Sequence, residues 1–179
     1  VLGSGVMGSG IACHLANVGM EVMMLDIVTP NLDKTQSKDK VHRNKLVNTA
    51  LQKTIKSKPA PLYHKSLASK IQTGNFEDDF EKIDEADWII EVVVENLKIK
   101  KQIFENVDQY RKKGSLVSSN TSSIPINLLA EGCSEDFKSC FCGTHFFNPA
   151  RYLRLLEVIP IAETQKEVVN FFMEFGKVT

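Results

Sequence analysis

Gly3-Ser4-Gly5-Val6-Met7-Gly8, with Val1-Leu2 before it and Asp26 eighteen positions after it, decides the fold of this 179-residue chain. The pattern is G-x-G-x-x-G. Gly3 permits a tight turn, Gly5 lets the backbone approach a pyrophosphate, and Gly8 allows a helix to pack closely on a strand. Beyond the turn, Ile11, Ala12, Leu15 and Val18 recur at helical spacing, and Gly19 is placed to stop the helix. Glu21-Val22-Met23-Met24-Leu25 is a short, largely apolar run that ends in Asp26. Strand, glycine turn, helix, strand and acid make one βαβ unit. Asp26 is expected to accept hydrogen bonds from ribose hydroxyls and to repel a 2′-phosphate, which favours NAD over NADP. Ser4, Val6 and Met7 flank a helix N-terminus whose unpaired N–H groups and positive dipole end suit phosphates. Two residues are too few for the strand that precedes such a turn, so the natural protein is expected to extend upstream of Val1.

The remainder of the chain continues the alternation. Residues 30–61 are polar and basic, with helix expected from about Ser37 and a thin apolar stripe of Leu46, Val47, Ala50, Leu51 and Ile55. Lys58-Pro59-Ala60-Pro61 must end that helix, because proline removes a donor and restricts its predecessor. A basic helix with so thin a stripe is expected to stand out as an arm, over about residues 34–61. Ile71-Gln72-Thr73 reads as a short strand and Phe76 to Ile83 as a short acidic helix. The run from Trp88 to Val94 reads as an apolar, β-branched strand. Ile99, Ile103, Val107 and Tyr110 mark a helix face, and strands are expected from Leu116, over Phe141 to Phe147 and over Leu155 to Ile159. Val168, Val169, Phe172 and Phe175 close with an amphipathic helix. The fold class is therefore α/β: a Rossmann-type, doubly wound, mostly parallel sheet with a protruding helical arm after the second strand.

Composition narrows the function classes. The chain carries 22 Lys and Arg against 22 Asp and Glu, with 42% hydrophobic and 25% charged residues. A neutral globular chain of this kind argues against nucleic acid or an anionic membrane as partner. No apolar run approaches the ~20 residues of a membrane span, and no signal-peptide pattern opens the chain. Cys13, Cys133, Cys140 and Cys142 form no disulfide framework or zinc pattern and read as reduced, mostly buried thiols of an intracellular protein. The neutrality hides an asymmetry. Ten Lys and Arg stand between Lys34 and Lys70 against one acid, Asp39, whereas nine acids and one base, Lys82, occupy Glu77 to Glu95. Such blocks are usually solvated faces; the basic one could also dock a small polyanion.

Two further constellations carry chemistry. Ser118-Ser119-Asn120-Thr121-Ser122-Ser123 follows a strand, at the sheet edge where ligands of open α/β folds bind, although such residues also cap helices. His145 lies in Thr144-His145-Phe146-Phe147-Asn148-Pro149, and Glu157 stands twelve residues on, in the next strand. Neighbouring strands would bring the two together. A carboxylate beside an imidazole fixes its tautomer and favours its protonated form, as a general base near neutral pH requires.

At this point the sequence resembles a known family. Gly3 to Ala12, the stretch Val94-Glu95-Asn96-Leu97-Lys98-Ile99-Lys100, the run Ser119 to Ser123 and His145-Phe146-Phe147-Asn148-Pro149 resemble the NAD-binding domain of 3-hydroxyacyl-CoA dehydrogenases, in the family's order and over nearly the whole chain. Lys58 to Tyr63 is similar to the fused hydratase–dehydrogenase type. The resemblance implies one NAD-binding domain over residues 1–179 and the oxidation of (3S)-3-hydroxyacyl-CoA to 3-oxoacyl-CoA in fatty-acid β-oxidation. It implies His145 as catalytic base, Glu157 as the carboxylate that orients it, and Ser122 as a contact to substrate and nicotinamide. Val94, Glu95, Lys100, Asn120 and Asn148 are implied as further cofactor contacts, the arm as the surface for CoA, and Thr49 and Lys56 as its CoA contacts. No metal is implied.

The family also has a second, helical domain that supplies an asparagine and most of the dimer contact. It is expected beyond Thr179, so the chain alone is expected to bind NAD but turn over poorly. A homodimer is expected of the full-length protein, and a fused hydratase domain stays open. The bacterial cytoplasm is the expected compartment, with mitochondrion and peroxisome left open by the missing upstream segment. Two rivals remain: a non-catalytic nucleotide-binding protein derived from this family, against which the retained Ser122, His145, Asn148 and Glu157 speak, and a β-hydroxyacid dehydrogenase, which generally uses a lysine base on a later helix.

Overall fold

A computed structural model describes residues 1–178; Thr179, the last residue of the expected domain, lies outside the described residues. In chain order the helices are α1 (Val6–Asn17), α2 (Lys40–Arg43), α3 (Lys45–Ile55), α4 (Leu97–Tyr110), α5 (Ile126–Leu129), α6 (Glu135–Ser139) and α7 (Lys166–Val178). The strands are β1 (Val22–Asp26), β2 (Ile71–Asn75), β3 (Trp88–Glu91), β4 (Leu116–Ser119), β5 (Phe141–Phe146) and β6 (Leu156–Pro160). The chain divides into two compact units, residues 1–80 with 148–152, and residues 81–147 with 153 onward.

In the first unit β1 and β2 pair in parallel from Val22↔Ile71 to Asp26↔Asn75. Leu2 forms an isolated parallel bridge to Leu25 on the other side of β1, so Val1-Leu2 lies alongside β1 ahead of the glycine turn. Ile11, Ala12 and Leu15 are buried on α1, as their spacing predicts, and Gly19 takes a φ of 96° just past the helix.

The arm differs from its expectation. It is broken into a 3₁₀ turn (Gln36–Lys38), α2 and α3, and it does not stand clear of its unit. Val47 and Leu51 are buried, and α3 packs on α1, β1 and β2. The break falls at Asn44, whose buried side chain accepts a hydrogen bond from Asn75 Nδ2 at 2.7 Å instead of capping α3. Thr73 Oγ1 donates to Asn48 Oδ1 at 2.6 Å, a second polar tie to β2. A thin stripe was enough because these two amides, of which Asn44 is buried, supply further fastening. The basic and acidic blocks also meet: Arg43 reaches Asp78 at 2.7 Å and Glu77 at 2.8 Å, and Lys40 reaches Asp79 at 3.2 Å.

In the second unit the strand order is β3-β4-β5-β6, parallel except for β6, which runs antiparallel to β5. Successive residues of β5 face opposite layers, as a two-residue period requires. Phe141 packs with Phe104 of α4 and Phe137 of α6 at ring distances of 5.1–5.2 Å. Cys142 packs with Val168 and Phe172 of α7, beside Trp88. Each fully buried aromatic of this kind stabilises the fold by about 1.5–3 kcal/mol. Gly143 is forced by space, since a Cβ there would stand 2.8 Å from Ile126 Cδ1 and 3.1 Å from Ile159 Cβ.

Three local readings are corrected. β3 ends at Glu91 and does not reach Val94, because Glu91 turns into a buried ion pair. The helical turn expected over Phe76 to Ile83 is a 3₁₀ helix at Phe80–Glu85. The buried face of α4 is Lys100, Phe104 and Val107, while Ile99 and Tyr110 are exposed. The four cysteines are free and buried, and burial pushes the thiols of Cys13 and Cys133 up to about 11 and that of Cys142 up to about 12. Such thiols are poor nucleophiles.

Candidate active site residues and family

In the first unit the glycine turn is built around Asp26. Its Oδ2 accepts from the Ser4 N–H at 2.6 Å and from Ser4 Oγ at 2.5 Å, and its Oδ1 accepts from the Ile27 N–H at 2.7 Å. Gly3 has a φ of 109°, a conformation only glycine adopts without strain. Gly5 precedes α1, no side chain caps that helix, and no acid occupies its first turn. A Cβ placed on Gly5 would meet nothing within 4 Å, so its backbone borders open space. That space is a cavity of about 450 Å³, bounded by Ser4 to Met7 on the turn, by Lys53, Thr54 and Ser57 at the end of α3, and by Asn148 to Tyr152. An uncapped helix N-terminus, an open glycine and an acid at the end of β1 suit a dinucleotide. Gly8 is buried, in keeping with close packing of α1.

Thr49 and Lys56 lie seven residues apart on α3 and its C-cap, both exposed, and neither lines this cavity. Lys53, between them, does, and the sequence had not singled it out.

In the second unit His145 and Glu157 form a cross-strand pair at the register position His145↔Glu157. His145 Nδ1 lies 2.7 Å from Glu157 Oε2, and the imidazole is 18% exposed against 50% for the carboxylate. With Nδ1 engaged by a carboxylate, that nitrogen carries the proton and Nε2 is left as the basic one. The Phe147 ring sits 4.5 Å from the imidazole centroid.

The hydroxyl-rich run is organised by Glu95. Its Oε1 accepts from Thr121 Oγ1 at 2.6 Å, from the Ser122 and Ser123 N–H groups at 3.1 and 3.0 Å, and from Ser123 Oγ at 2.9 Å. Burial would raise the pKa of Glu95, but the hydrogen bonds from Thr121 and Ser123 and the charge of Lys100 outweigh it and bring it down to about 2. Ser122 is exposed on this loop. Asn120 Oδ1 accepts from the Phe146 N–H at 2.8 Å, which ties the end of β4 to that of β5. Val94 is exposed, just after β3.

Lys100 is only 1% exposed. Its ammonium reaches Glu91 at 2.7 Å, Glu95 at 3.3 Å and the Val93 carbonyl at 3.3 Å. Two hydrogen bonds, to Glu91 and the Val93 carbonyl, and an ion pair with Glu95 surround it, so in this arrangement Lys100 acts on the loop through Glu95. Glu91, fully buried, accepts from Ser119 Oγ at 2.5 Å and from the Val93 N–H at 2.7 Å. Sequence reasoning missed Glu91, and gave Thr121 no role of its own within the hydroxyl-rich run; for Glu91 a carboxylate interrupting an apolar β-branched strand was the available signal. Among the described residues, no group of three or more His, Cys, Asp or Glu could hold a metal ion, and no helix is long and apolar enough to cross a membrane.

Known proteins resemble this chain in family and in fold. The family model described as "3-hydroxyacyl-CoA dehydrogenase, NAD binding domain" matches residues 1–179. A Bacillus subtilis (strain 168) protein named "Probable 3-hydroxyacyl-CoA dehydrogenase" is 57% identical over 99% of this chain and 23% of its own length. A protein of the same name from Deinococcus radiodurans is 45% identical over 100% of this chain and 49% of its own. Among solved structures, 3-hydroxybutyryl-CoA dehydrogenase from Escherichia coli K12 superposes with a TM-score of 0.73 at 27% identity, over 99% of this chain and 35% of that one. The (S)-3-hydroxybutyryl-CoA dehydrogenase of Ralstonia eutropha gives 0.72 at 29%, over 98% and 58%. The fold is thus that of a nucleotide-binding dehydrogenase domain. The chain belongs to the 3-hydroxyacyl-CoA dehydrogenase family, as its NAD-binding domain. It spans from about a quarter to a half of the length of the two relatives named.

Proposed function

We propose that this chain is the cofactor-binding and proton-transferring part of an enzyme that oxidises (3S)-3-hydroxyacyl-CoA to 3-oxoacyl-CoA in fatty-acid oxidation. The observation that carries the reading is the His145–Glu157 pair, an imidazole with one nitrogen fixed by a carboxylate. In this reading Gly3 to Gly8 and Asp26 hold the pyrophosphate and ribose of NAD, and Val94, Glu95, Asn120, Ser122 and Asn148 border the rest of it. When bound, NAD supplies the acceptor for the hydride that leaves C3. Nε2 of His145 takes the proton of the 3-hydroxyl, and Glu157 stabilises the imidazolium that forms. Ser122, on the loop set by Glu95, holds the reacting oxygen in line. The α3 face with Thr49 and Lys56, together with Lys53, receives the CoA phosphates. The single domain over residues 1–179, the bacterial cytoplasm and a homodimeric full-length enzyme, with a hydratase domain fused or separate, belong to the same reading. A putative trifunctional fatty acid oxidation protein of Rickettsia felis, 43% identical over 95% of this chain, supports the pathway.

The test compares acetoacetyl-CoA with NADH against a free 3-hydroxyacid with NAD, using the complete gene product and its His145→Ala variant. Turnover of the CoA ester that the variant loses while still binding NADH is the expected result. Turnover confined to the free acid, or unchanged by the substitution, would reject the proposal.

A further inference from the structure

The cavity beside the glycine turn has two polypeptide walls in the first unit, the strap that follows α3 and the turn of residues 149–152. The strap carries Pro59 and Pro61 and belongs to no strand, so its carbonyls bond side chains in place of a sheet ladder. Asn17 of α1 serves its middle: Nδ2 donates to the Pro61 carbonyl at 2.8 Å, and Oδ1 accepts from the Tyr63 N–H at 2.8 Å. The carbonyls on either side are taken by Arg151. Its Nη1 donates to Ala60 at 2.5 Å and to Leu62 at 3.1 Å. The guanidinium lies 4.3 Å from the Tyr63 ring centroid and 5.0 Å from that of Tyr152, and Tyr152 Oη adds a bond to the Ala60 carbonyl at 2.9 Å. The turn is closed by the Tyr152 N–H on the Pro149 carbonyl at 2.9 Å. Asn148, immediately before it, faces the same cavity.

We propose that Arg151 is a positioning residue: its guanidinium latches the turn of residues 149–152 to the strap, sets the spacing of the two cavity walls and so holds Asn148 in place. Only a planar, permanently charged donor satisfies two carbonyls while stacking between two rings, so lysine is not an equivalent. The effect on catalysis rests on the function proposed above, whereas the latch itself does not.

Arg151→Ala and Arg151→Lys in the complete gene product, assayed with acetoacetyl-CoA and NADH, test it. For Arg151→Ala we expect KM to rise about tenfold or more, with a smaller change in kcat and free millimolar guanidinium restoring KM. An unchanged KM, or a raised KM that guanidinium leaves untouched, overturns the proposal. If the alanine variant does not fold, Arg151→Lys decides: a raised KM at an unchanged melting temperature supports the latch, and a wild-type KM removes it. If the parent enzyme shows no such turnover, the functional reading has failed and hydrogen exchange of Arg151→Lys becomes the readout. Faster exchange confined to residues 60–63 and 150–152 then supports the latch, and unchanged exchange rejects it.

Discussion

Glu95 and Thr121 are joined by a 2.6 Å hydrogen bond that closes the loop bearing Ser122 over a carboxylate. Glu95 therefore shapes the protein before any ligand arrives, and four of the five acceptor contacts described for it involve the 121–123 backbone or its hydroxyls. That geometry sets the first prediction.

Because the pKa of Glu95 is brought down to about 2 from an ordinary 4.5, its ionised form is favoured by folding. The stability it contributes is fully present above about pH 4.5 and is lost as pH falls through about 2. Urea unfolding between those limits should show a shallower loss in Glu95→Gln than in the parent, with the variant already less stable at pH 7.

Glu91 and Lys100 form a nearly solvent-free ion pair. Glu91→Leu alone leaves an ammonium buried without its main partner and should destabilise the chain by about 3–5 kcal/mol. Glu91→Leu with Lys100→Met should recover much of that loss in the same denaturant titration, as replacement of both members of a buried pair often does.

Gly5→Ala separates ligand space from folding. A Cβ there touches nothing within 4 Å, so the melting temperature should stay within about a degree or two of the parent. NADH affinity, followed by fluorescence, should fall about tenfold or more, because the methyl occupies the approach to the turn. Equal affinity would show that the pyrophosphate does not lie over Gly5.

His145→Ala should lower kcat of the complete enzyme by about 10²–10⁴ with NADH binding retained. Glu157→Gln keeps a hydrogen-bonding group but removes the charge that stabilises the imidazolium. It should lower kcat by a smaller factor and leave KM for the CoA ester near its parent value, as read from steady-state kinetics.

The parts of the fold that were legible depend on residues close in sequence or on simple periods. The glycine turn, Asp26 and the placing of His145 opposite Glu157 follow from local spacing and from consecutive strands. Lys100 shows what was not legible. On a helical wheel it looks like a solvated charge, and it faces inward because Glu91, nine residues earlier, leaves an otherwise apolar strand to meet it. The arm was misread for a related reason: the basic surface pointed to solvent, while the fastening comes from Asn44 and Asn48 bonding β2, side chains whose partners lie 25 to 31 residues away. Arg151 gave no signal at all, because its acceptors are backbone carbonyls about 90 positions back.

Gly143 bears on the chemistry although it touches no reacting group. Crowded between Ile126 and Ile159, it has no room for a side chain, and the register that sets it across from Ile159 also places Glu157 across from His145. A slip by one residue would leave the strands hydrogen-bonded and turn the carboxylate to the opposite side of the sheet. What has to be preserved between the imidazole and its carboxylate is therefore register. The connection from Asn148 to Leu155 can change in length so long as Glu157 stays across from His145.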